Sequence, residues 1–169
     1  MHVPEGCSDA YNAAGWNQAE VLVEGTDHAD VDGIRYYHDS HRAIGYDVGS
    51  ELNGPLNIPQ TVQIGGKTYP VEELAVRMFE GEGESLIKNI TAITLPEGLK
   101  RLEKNSLYSE VVSATEVTIP ASVEYVGTYF LRGETLKKIT FKGSPVLADN
   151  SVGSNYKLIH FMSQTPPAV

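Results

Sequence analysis

Four short stretches carry residue types that could do chemistry: a glycine-lysine-threonine run, an acidic turn, a histidine pair and a lone cysteine. The run Gly65-Gly66-Lys67-Thr68 matches the end of a phosphate-binding loop. That motif needs a glycine about five residues before its Gly-Lys pair and a helix after it. Thr61 stands at the glycine position and alternating residues typical of a strand follow. The run therefore predicts the turn of a β-hairpin, because a glycine pair tolerates positive φ.

The acidic turn, Asp27 to Gly33, places carboxylates in the order of a calcium-binding loop. In that frame His28 occupies the first ligand position, where a carboxylate is needed, and Asp39 occupies the last, where a bidentate glutamate is needed. A solvated turn explains the run better. Ca²⁺ is the cation to test if this turn binds one.

The remaining candidates are His38 with His41, and Cys7. The two histidines could align on a turn, but no third nitrogen or sulfur ligand stands at a suitable spacing, which favours a surface loop. Cys7 precedes a short helix, where a thiolate could be reactive, yet no histidine partner is apparent and a part-buried structural thiol is favoured. The sequence has no Gly-x-Ser-x-Gly or His-Glu-x-x-His motif. We therefore expect no catalytic site, metal or cofactor.

The composition excludes further classes of function. The 169 residues, 41% hydrophobic and 21% charged, are typical of a globular chain. A formal net charge of -9 argues against binding to nucleic acid or to anionic membranes. One cysteine excludes an intramolecular disulfide. No apolar run reaches a transmembrane span, and the first seven residues lack the features of a signal peptide.

The elements that would position any site come from an internal repeat. An apolar-polar-apolar pattern recurs with its middle residue at steps of 37, 24, 22 and 20. The last three steps fall in the range of leucine-rich and related repeats, in which each unit adds one strand to a stack. The five copies are Leu56-Asn57-Ile58, Ile93-Thr94-Leu95, Val117-Thr118-Ile119, Ile139-Thr140-Phe141 and Ile159-His160-Phe161.

Strand alternation explains the pattern. The two outer residues of each copy point to one face and would stack into an apolar column, while the middle residue points to the other face. Prolines after the first three copies mark the corners. Three apolar triplets would close the coils from the other side, and Leu86 and Leu136 would lead into the next strand. The triplets are Val71, Leu74 and Phe79; Leu99, Leu102 and Leu107; and Val123, Val126 and Phe130.

Upstream of the repeats, the chain predicts a short helix and hairpins. Ser8 is a plausible N-cap of the helix and Gly15 a stop. A turn with a strand is predicted over 30–37, a second strand over 42–46 and a hairpin over 62–69.

These residues together resemble the BspA-like leucine-rich repeat family of bacterial cell-surface proteins, particularly those of Bacteroides-type organisms. The segment from Ile119-Pro120 to Phe130 is close to the family pattern, and 31–36 with 64–71 looks like its lead-in hairpins. The resemblance covers about residues 30–169. It departs at 100–116 and 144–158, where irregular coils are expected. The resemblance implies a mainly β, leucine-rich-repeat solenoid preceded by β-hairpins and a short N-terminal helix.

The same resemblance divides the chain into three parts. Residues 1–25 look like the closing segment of a preceding module, 26–70 like lead-in β-hairpins and 71–169 like leucine-rich-repeat coils. In the family, the closing segment usually follows a phrase such as 163–169. We therefore expect the chain to be a window cut from a longer array.

For function, the resemblance implies a non-enzymatic binding or adhesion module of a cell-surface protein, acting by protein–protein interaction, with a location at the cell surface or outside the cell. The expected partner is a host or microbial surface protein, or a glycan. A structural spacer and a glycan-binding module are the alternatives; Tyr36, Tyr37 and Tyr46 are the clustered aromatics that a glycan would use. Head-to-tail self-association through the last coil is a further expectation. The candidate binding residues form a row on the outer face of the strands: Asn57, Thr94, Glu116, Thr118, Lys138, Thr140 and His160.

Overall fold

A computed structural model describes residues 1–16, 22–79, 84–108, 112–132, 135–152 and 158–168. This part of the chain is mainly β, with one α-helix and one 3₁₀ turn (Glu84–Leu86). The elements are β1 (His2–Val3), α1 (Ser8–Ala13), β2 (Val23–Glu24), β3 (Ala29–Val31), β4 (Ile34–His38), β5 (Ala43–Val48), β6 (Leu52–Asn57), β7 (Thr61–Ile64), β8 (Lys67–Leu74), β9 (Ile87–Thr94), β10 (Arg101–Leu102), β11 (Leu107–Tyr108), β12 (Glu116–Ile119), β13 (Tyr125–Val126), β14 (Leu131–Arg132), β15 (Lys138–Phe141), β16 (Val146–Leu147) and β17 (Leu158–Phe161).

The repeats form coils that stack through parallel strands. On one side of the stack β6 pairs with β9, and β12 with β15 and β17. A second side is built by β8, β10, β13 and β16, and on a third side β11 pairs with β14. The register joins equivalent residues, with Ile119 opposite Phe141 and Phe141 opposite Phe161. The fold is therefore the predicted leucine-rich-repeat solenoid of stacked short parallel strands.

The core lies inside the coils, where the sequence pattern places it. Every member of the three predicted triplets is buried, and Leu99, Leu102, Val126 and Phe130 have no exposed surface. Leu136 is buried and Leu86 packs partly buried against the same core. Since each coil is too thin to cover its own apolar side, this burial depends on the coil stacked on it.

The irregularity expected over 100–116 is wrong for residues 101–108. Here β10 pairs with β8 on one side and β13 on the other, and β11 pairs with β14. The ladders use backbone groups, so they tolerate a departure from the side-chain pattern. In the second departure, 144–158, β16 pairs in the same way with β13; residues 153–157 lie outside the described residues.

A left-handed corner recurs in the stack without glycine. One such residue lies in each of four successive turns, with φ between +49° and +57°. The amide of the second donates to Thr128 O and the amide of the third to Asn150 O, so the corners are stacked by hydrogen bonds. These corner residues are Arg77, Asn105, Tyr129 and Asn150.

The N-terminal third carries the predicted hairpins. Strands β3, β4 and β5 are antiparallel, and β5 then pairs in parallel with β8, which makes this sheet continuous with the second side of the coils. The hairpin of β7 and β8 turns at Gly65 and Gly66, whose φ values are +57° and +80°. The short strands β1 and β2 pair in parallel.

The predicted helix forms, with one correction. Its N-cap is Cys7, which makes no side-chain capping bond, whereas Ser8 is the first helical residue. The helix stops before Gly15, whose φ is +82°, as expected. No helix within the described ranges is long and apolar enough to cross a membrane.

Glycines let the backbones of adjacent coils approach closely. A Cβ on Gly127 would lie 2.5 Å from Lys104 N and 2.7 Å from the Glu103 carbonyl carbon. A Cβ on Gly143 would lie 2.7 Å from Ala121 O. Both clashes are with backbone of the preceding coil, which a rotamer change cannot relieve.

We expect Gly127→Ala to lower the free energy of unfolding by about 1–3 kcal/mol, because it forces two coils apart. Lys137→Ala, at an exposed site, is the control and should change it by less than about 0.5 kcal/mol. Urea denaturation checks both values. Equal stability of the two variants would show that the coils can separate without cost.

Candidate functional site

The predicted binding residues form two rows on the exposed side of the strands, which we call the outer ladder. Thr118, Thr140 and His160 lie opposite one another on β12, β15 and β17. Glu116 lies opposite Lys138, and Lys138 Nζ is 3.2 Å from Glu116 Oε2. The register that the sequence predicts is therefore present in the structure.

The first two members of the outer ladder belong to a separate pair of strands. Asn57 lies opposite Thr94 on β6 and β9. Strand β9 runs beside β12, and an isolated parallel bridge joins Ile90 of β9 to Val112, which precedes β12. The outer ladder thus crosses a seam between two short sheets.

The members of the outer ladder differ in exposure. Asn57, Thr94, Glu116, Thr118 and His160 are exposed and Lys138 is half-buried. Thr140, in the central strand, is only 9% exposed, because its neighbours on β12 and β17 cover it. Thr140 therefore offers little surface to a partner. The ladder presents hydroxyls, an amide, an imidazole and an ion pair, which suits polar contact.

The last coil has an open apolar side. Ile159 and Phe161 are each 38% exposed, whereas Ile139 and Phe141, their partners in the preceding coil, have no exposed surface. The Phe161 ring stacks on Phe141 with centroids 5.0 Å apart. Leu158 and Met162 add exposed apolar surface beside them.

The predicted aromatic cluster is present in part. Tyr36 is fully buried in the core, and burial raises its pKa, so it cannot face a glycan. Strand alternation places Tyr37 on the opposite face of β4, where its ring meets Tyr46 at 5.3 Å between centroids. His2 and His28 flank Tyr37 at 4.8 and 5.5 Å. Tyr37 and Tyr46 are half-buried.

The two loops interpreted as turns are turns. Gly65 and Gly66 connect β7 to β8, and a strand follows them, which excludes a phosphate-binding loop there. In the acidic stretch, Arg35 donates two hydrogen bonds to Asp30, at 2.9 and 3.0 Å. Asp32 and Gly33 form the tight turn between β3 and β4. The structure therefore agrees with a turn-forming role for this stretch.

A group that the sequence does not predict gathers near the helix: Glu5, Glu24 and His38, which we call the N-terminal corner. One ligand atom from each lies within 4.8 Å of the others. Glu24 and His38 are buried, and the Glu5 side chain is 60% exposed. The prediction of a surface loop at His38 is wrong, because this residue ends a buried strand; His41 is exposed as predicted.

Glu24 supplies the cap that α1 lacks in its own sequence. Its carboxylate accepts hydrogen bonds from the amides of Gly6 (3.0 Å) and Ser8 (2.9 Å) and from the Ser40 hydroxyl (2.8 Å). Burial alone would raise the pKa of Glu24, but these hydrogen bonds outweigh it and lower the pKa to about 2. The carboxylate thus ties the helix to β2 and to the turn after β4.

The turn after β4 orients His38. Asp39 accepts hydrogen bonds from the amides of His41 and Arg42 and from Arg42 Nε. His38 Nδ1 lies 3.0 Å from Asp39 O, so Nδ1 carries a proton and donates it to the carbonyl. The His38 ring stacks on Tyr69 with centroids 4.5 Å apart. Nε2 consequently points to the corner and lies 3.8 Å from Glu5 Oε2.

An ion-pair network around the buried Glu73 contacts this turn through Arg42. Arg42 Nη1 is 2.9 Å from Glu73 Oε2 on β8, and Arg101 Nε on β10 is 4.0 Å from the same atom. Burial raises the pKa of Glu73 to about 7, against the attraction of Arg42 and Arg101. The network joins the antiparallel strands β3, β4 and β5, which we call the lead-in sheet, to the first coils.

No protein-family model and no curated protein match the chain. The chain is similar to a leucine rich cell surface protein from Faecalibacterium prausnitzii A2-165, with 14% identity, a TM-score of 0.32 and coverage of 86% of this chain and 57% of that one. It is also similar to the pneumococcal vaccine antigen PcpA, with 15% identity, a TM-score of 0.37 and coverage of 79% and 48%. The chain spans about half the length of each.

We expect Glu24→Gln to lower the free energy of unfolding at pH 7 by about 2 kcal/mol, since it weakens hydrogen bonds to a charged acceptor. The pKa of Glu24 in the folded state, about 2, lies below its ordinary value of 4.5. The stabilisation is therefore full above pH 4.5 and is lost as the pH falls towards 2. Denaturation of both proteins across this range checks it; a gap that does not change with pH would contradict the assignment.

Proposed function

We propose that this chain is a non-enzymatic protein-binding module of a bacterial cell-surface leucine-rich-repeat protein, with an adhesive role. The observation that supports it is the outer ladder, whose polar side chains lie in register across parallel strands and are mostly exposed. The cell-surface location is part of this proposal, and it is supported by the resemblance of the repeat to the BspA-like family.

The outer ladder suits a polar protein surface. The strands hold the ladder side chains at defined positions. This chain therefore loses little conformational entropy when a partner binds. Glu116 and Lys138 lie at the edge of the row and offer one charge of each sign. A partner strand or loop with complementary charges would fit this arrangement.

A structural spacer and a glycan-binding module are the competing functions. A spacer needs no partner at the ladder. For a glycan, the half-buried pair Tyr37 and Tyr46 would be the binding surface, and Tyr36 would take no part because it is buried. The three functions therefore predict different effects of substitutions on binding: at the outer ladder for a protein partner, at Tyr37 and Tyr46 for a glycan, and at neither for a spacer.

The test is a binding screen of the whole chain against extracellular-matrix proteins and glycans in parallel. For any protein that binds, we expect Thr118→Arg to weaken the affinity by roughly tenfold or more, since a long charged side chain would block the ladder. Thr68→Arg, at an exposed threonine of β8 away from the ladder, is the matched control and should bind normally. Surface plasmon resonance measures both.

Other outcomes decide against the proposal. Binding to glycans alone, lost on Tyr37→Ala, would favour the glycan module. Absence of binding in the whole screen would favour the spacer. Equal loss in Thr118→Arg and Thr68→Arg would show that the ladder is not the contact surface.

Self-association is a second candidate function, which the exposed Ile159 and Phe161 favour. In this arrangement the N-terminal segment of one copy would cover the last coil of another. We expect light scattering after size exclusion to show oligomers at high concentration and Phe161→Glu to reduce them. A wild-type monomer throughout the concentration range would exclude it.

A further inference from the structure

We propose that the N-terminal corner is a site for a divalent transition metal, for which Zn²⁺ is the best match, with His38 Nε2 and one carboxylate oxygen each from Glu5 and Glu24 as ligands. The site is independent of the outer ladder and goes beyond the proposed binding function. Among the described residues, these three side chains are the ones whose possible ligand atoms lie close enough together to share one metal ion.

The first argument is the orientation of the His38 imidazole. Its Nδ1 donates to Asp39 O at 3.0 Å, which leaves Nε2 as the ring nitrogen that can bind a metal at the corner. Nε2 belongs to a side chain only 4% exposed, and no hydrogen bond to it is formed by the described residues; its neighbour is the Glu5 carboxylate at 3.8 Å. An imidazole nitrogen beside a carboxylate oxygen forms a pair of donor atoms that one metal ion can bind. Metal-binding histidines commonly donate their other nitrogen to a carbonyl in this way.

The second argument is that the Glu24 carboxylate is held at the corner and that the Glu5 carboxylate has room there. The Glu24 oxygens are fixed by the Gly6 and Ser8 amides and the Ser40 hydroxyl. A carboxylate oxygen has two lone pairs, so Oε2, which accepts the Gly6 amide, keeps one for a metal. Glu5 Oε2 lies over Gly25, where a Cβ would be only 3.0 Å away, so glycine leaves room for it.

The spacing fits after a small closure. The three ligand atoms lie within 4.8 Å of one another. Tetrahedral zinc with ligands at about 2.0–2.2 Å brings its ligand atoms to roughly 3.5 Å apart. Glu5 is the most mobile of the three, because its side chain is 60% exposed, whereas His38 and Glu24 are buried.

The donor set selects the metal. An imidazole nitrogen with two carboxylates suits Zn²⁺ and its transition-metal neighbours, whereas Ca²⁺ and Mg²⁺ prefer sites made only of oxygen. Three protein ligands leave a fourth position open for water. A bound ion would join the segment before α1, strand β2 and the end of β4, and so fasten the N-terminal segment to the lead-in sheet.

Calorimetric titration of the whole chain with Zn²⁺ tests the site. We expect one ion per chain, with the affinity reduced by roughly tenfold or more in both His38→Gln and Glu5→Gln. Glu5→Gln changes an exposed side chain, so it keeps the test valid if His38→Gln does not fold. His41→Gln is the matched control: His41 Nε2 lies 3.3 Å from Asp9 Oδ2 in an exposed pair of similar chemistry, and its loss should leave binding unchanged.

Two further readouts sharpen the result. We expect bound Co²⁺ to give visible absorption without a sulfur-to-metal charge-transfer band, because Cys7 is not among the ligands, and Zn²⁺ to raise the melting temperature of the wild type but not of Glu5→Gln. No binding of Zn²⁺ by folded wild type, unchanged affinity in Glu5→Gln, equal loss in His41→Gln, or Ca²⁺ binding as tight as Zn²⁺ would each overturn the proposal.

Discussion

The structure depends on one constraint: no coil can bury its own apolar side. Phe141 is fully buried because β17 lies beyond it, while Phe161, which occupies the same place in the last coil, is partly exposed. The apolar column therefore exists only as a property of neighbours in register. That register also aligns the middle residues of the strands, so the outer ladder is a by-product of the core.

The part of the fold that the sequence predicts is the part in which side chains alternate. Copies such as Val117-Thr118-Ile119 reveal both the strand and its buried face, and the triplets reveal the opposite wall. The two-residue strands β10, β11, β13 and β14 are not predicted, because two residues have no period and their pairing uses the backbone. The left-handed corner at Tyr129 is also not predictable from the sequence. Its backbone is held by a hydrogen bond to the next coil, and no glycine at this position marks the positive φ.

The outer ladder and the N-terminal corner also differ in how far the sequence predicts them. The ladder residues recur in the same place of each apolar-polar-apolar copy, so their register can be predicted from the sequence. Only the burial of Thr140 depends on how closely its neighbours pack. Glu5, Glu24 and His38 have no common spacing and meet through the pairing of β1 with β2 and the packing of α1 on the turn after β4. His38 and His41 are close in sequence, but the side chains that His38 contacts, Glu5 and Tyr69, are far away in sequence.

The spacing of the coils has a consequence for the order in which the chain folds. From β10 onward, residues paired across the stack, such as Arg101 with Tyr125, Glu116 with Lys138 and Lys138 with Leu158, are about two dozen positions apart or fewer. Each added coil closes a loop of nearly the same length, so its entropic cost is nearly constant. The continuous lead-in sheet offers a template at one end. We expect the stack to grow from that template, with each coil as the nucleus of the next and with a folding time that rises only slowly with the number of coils.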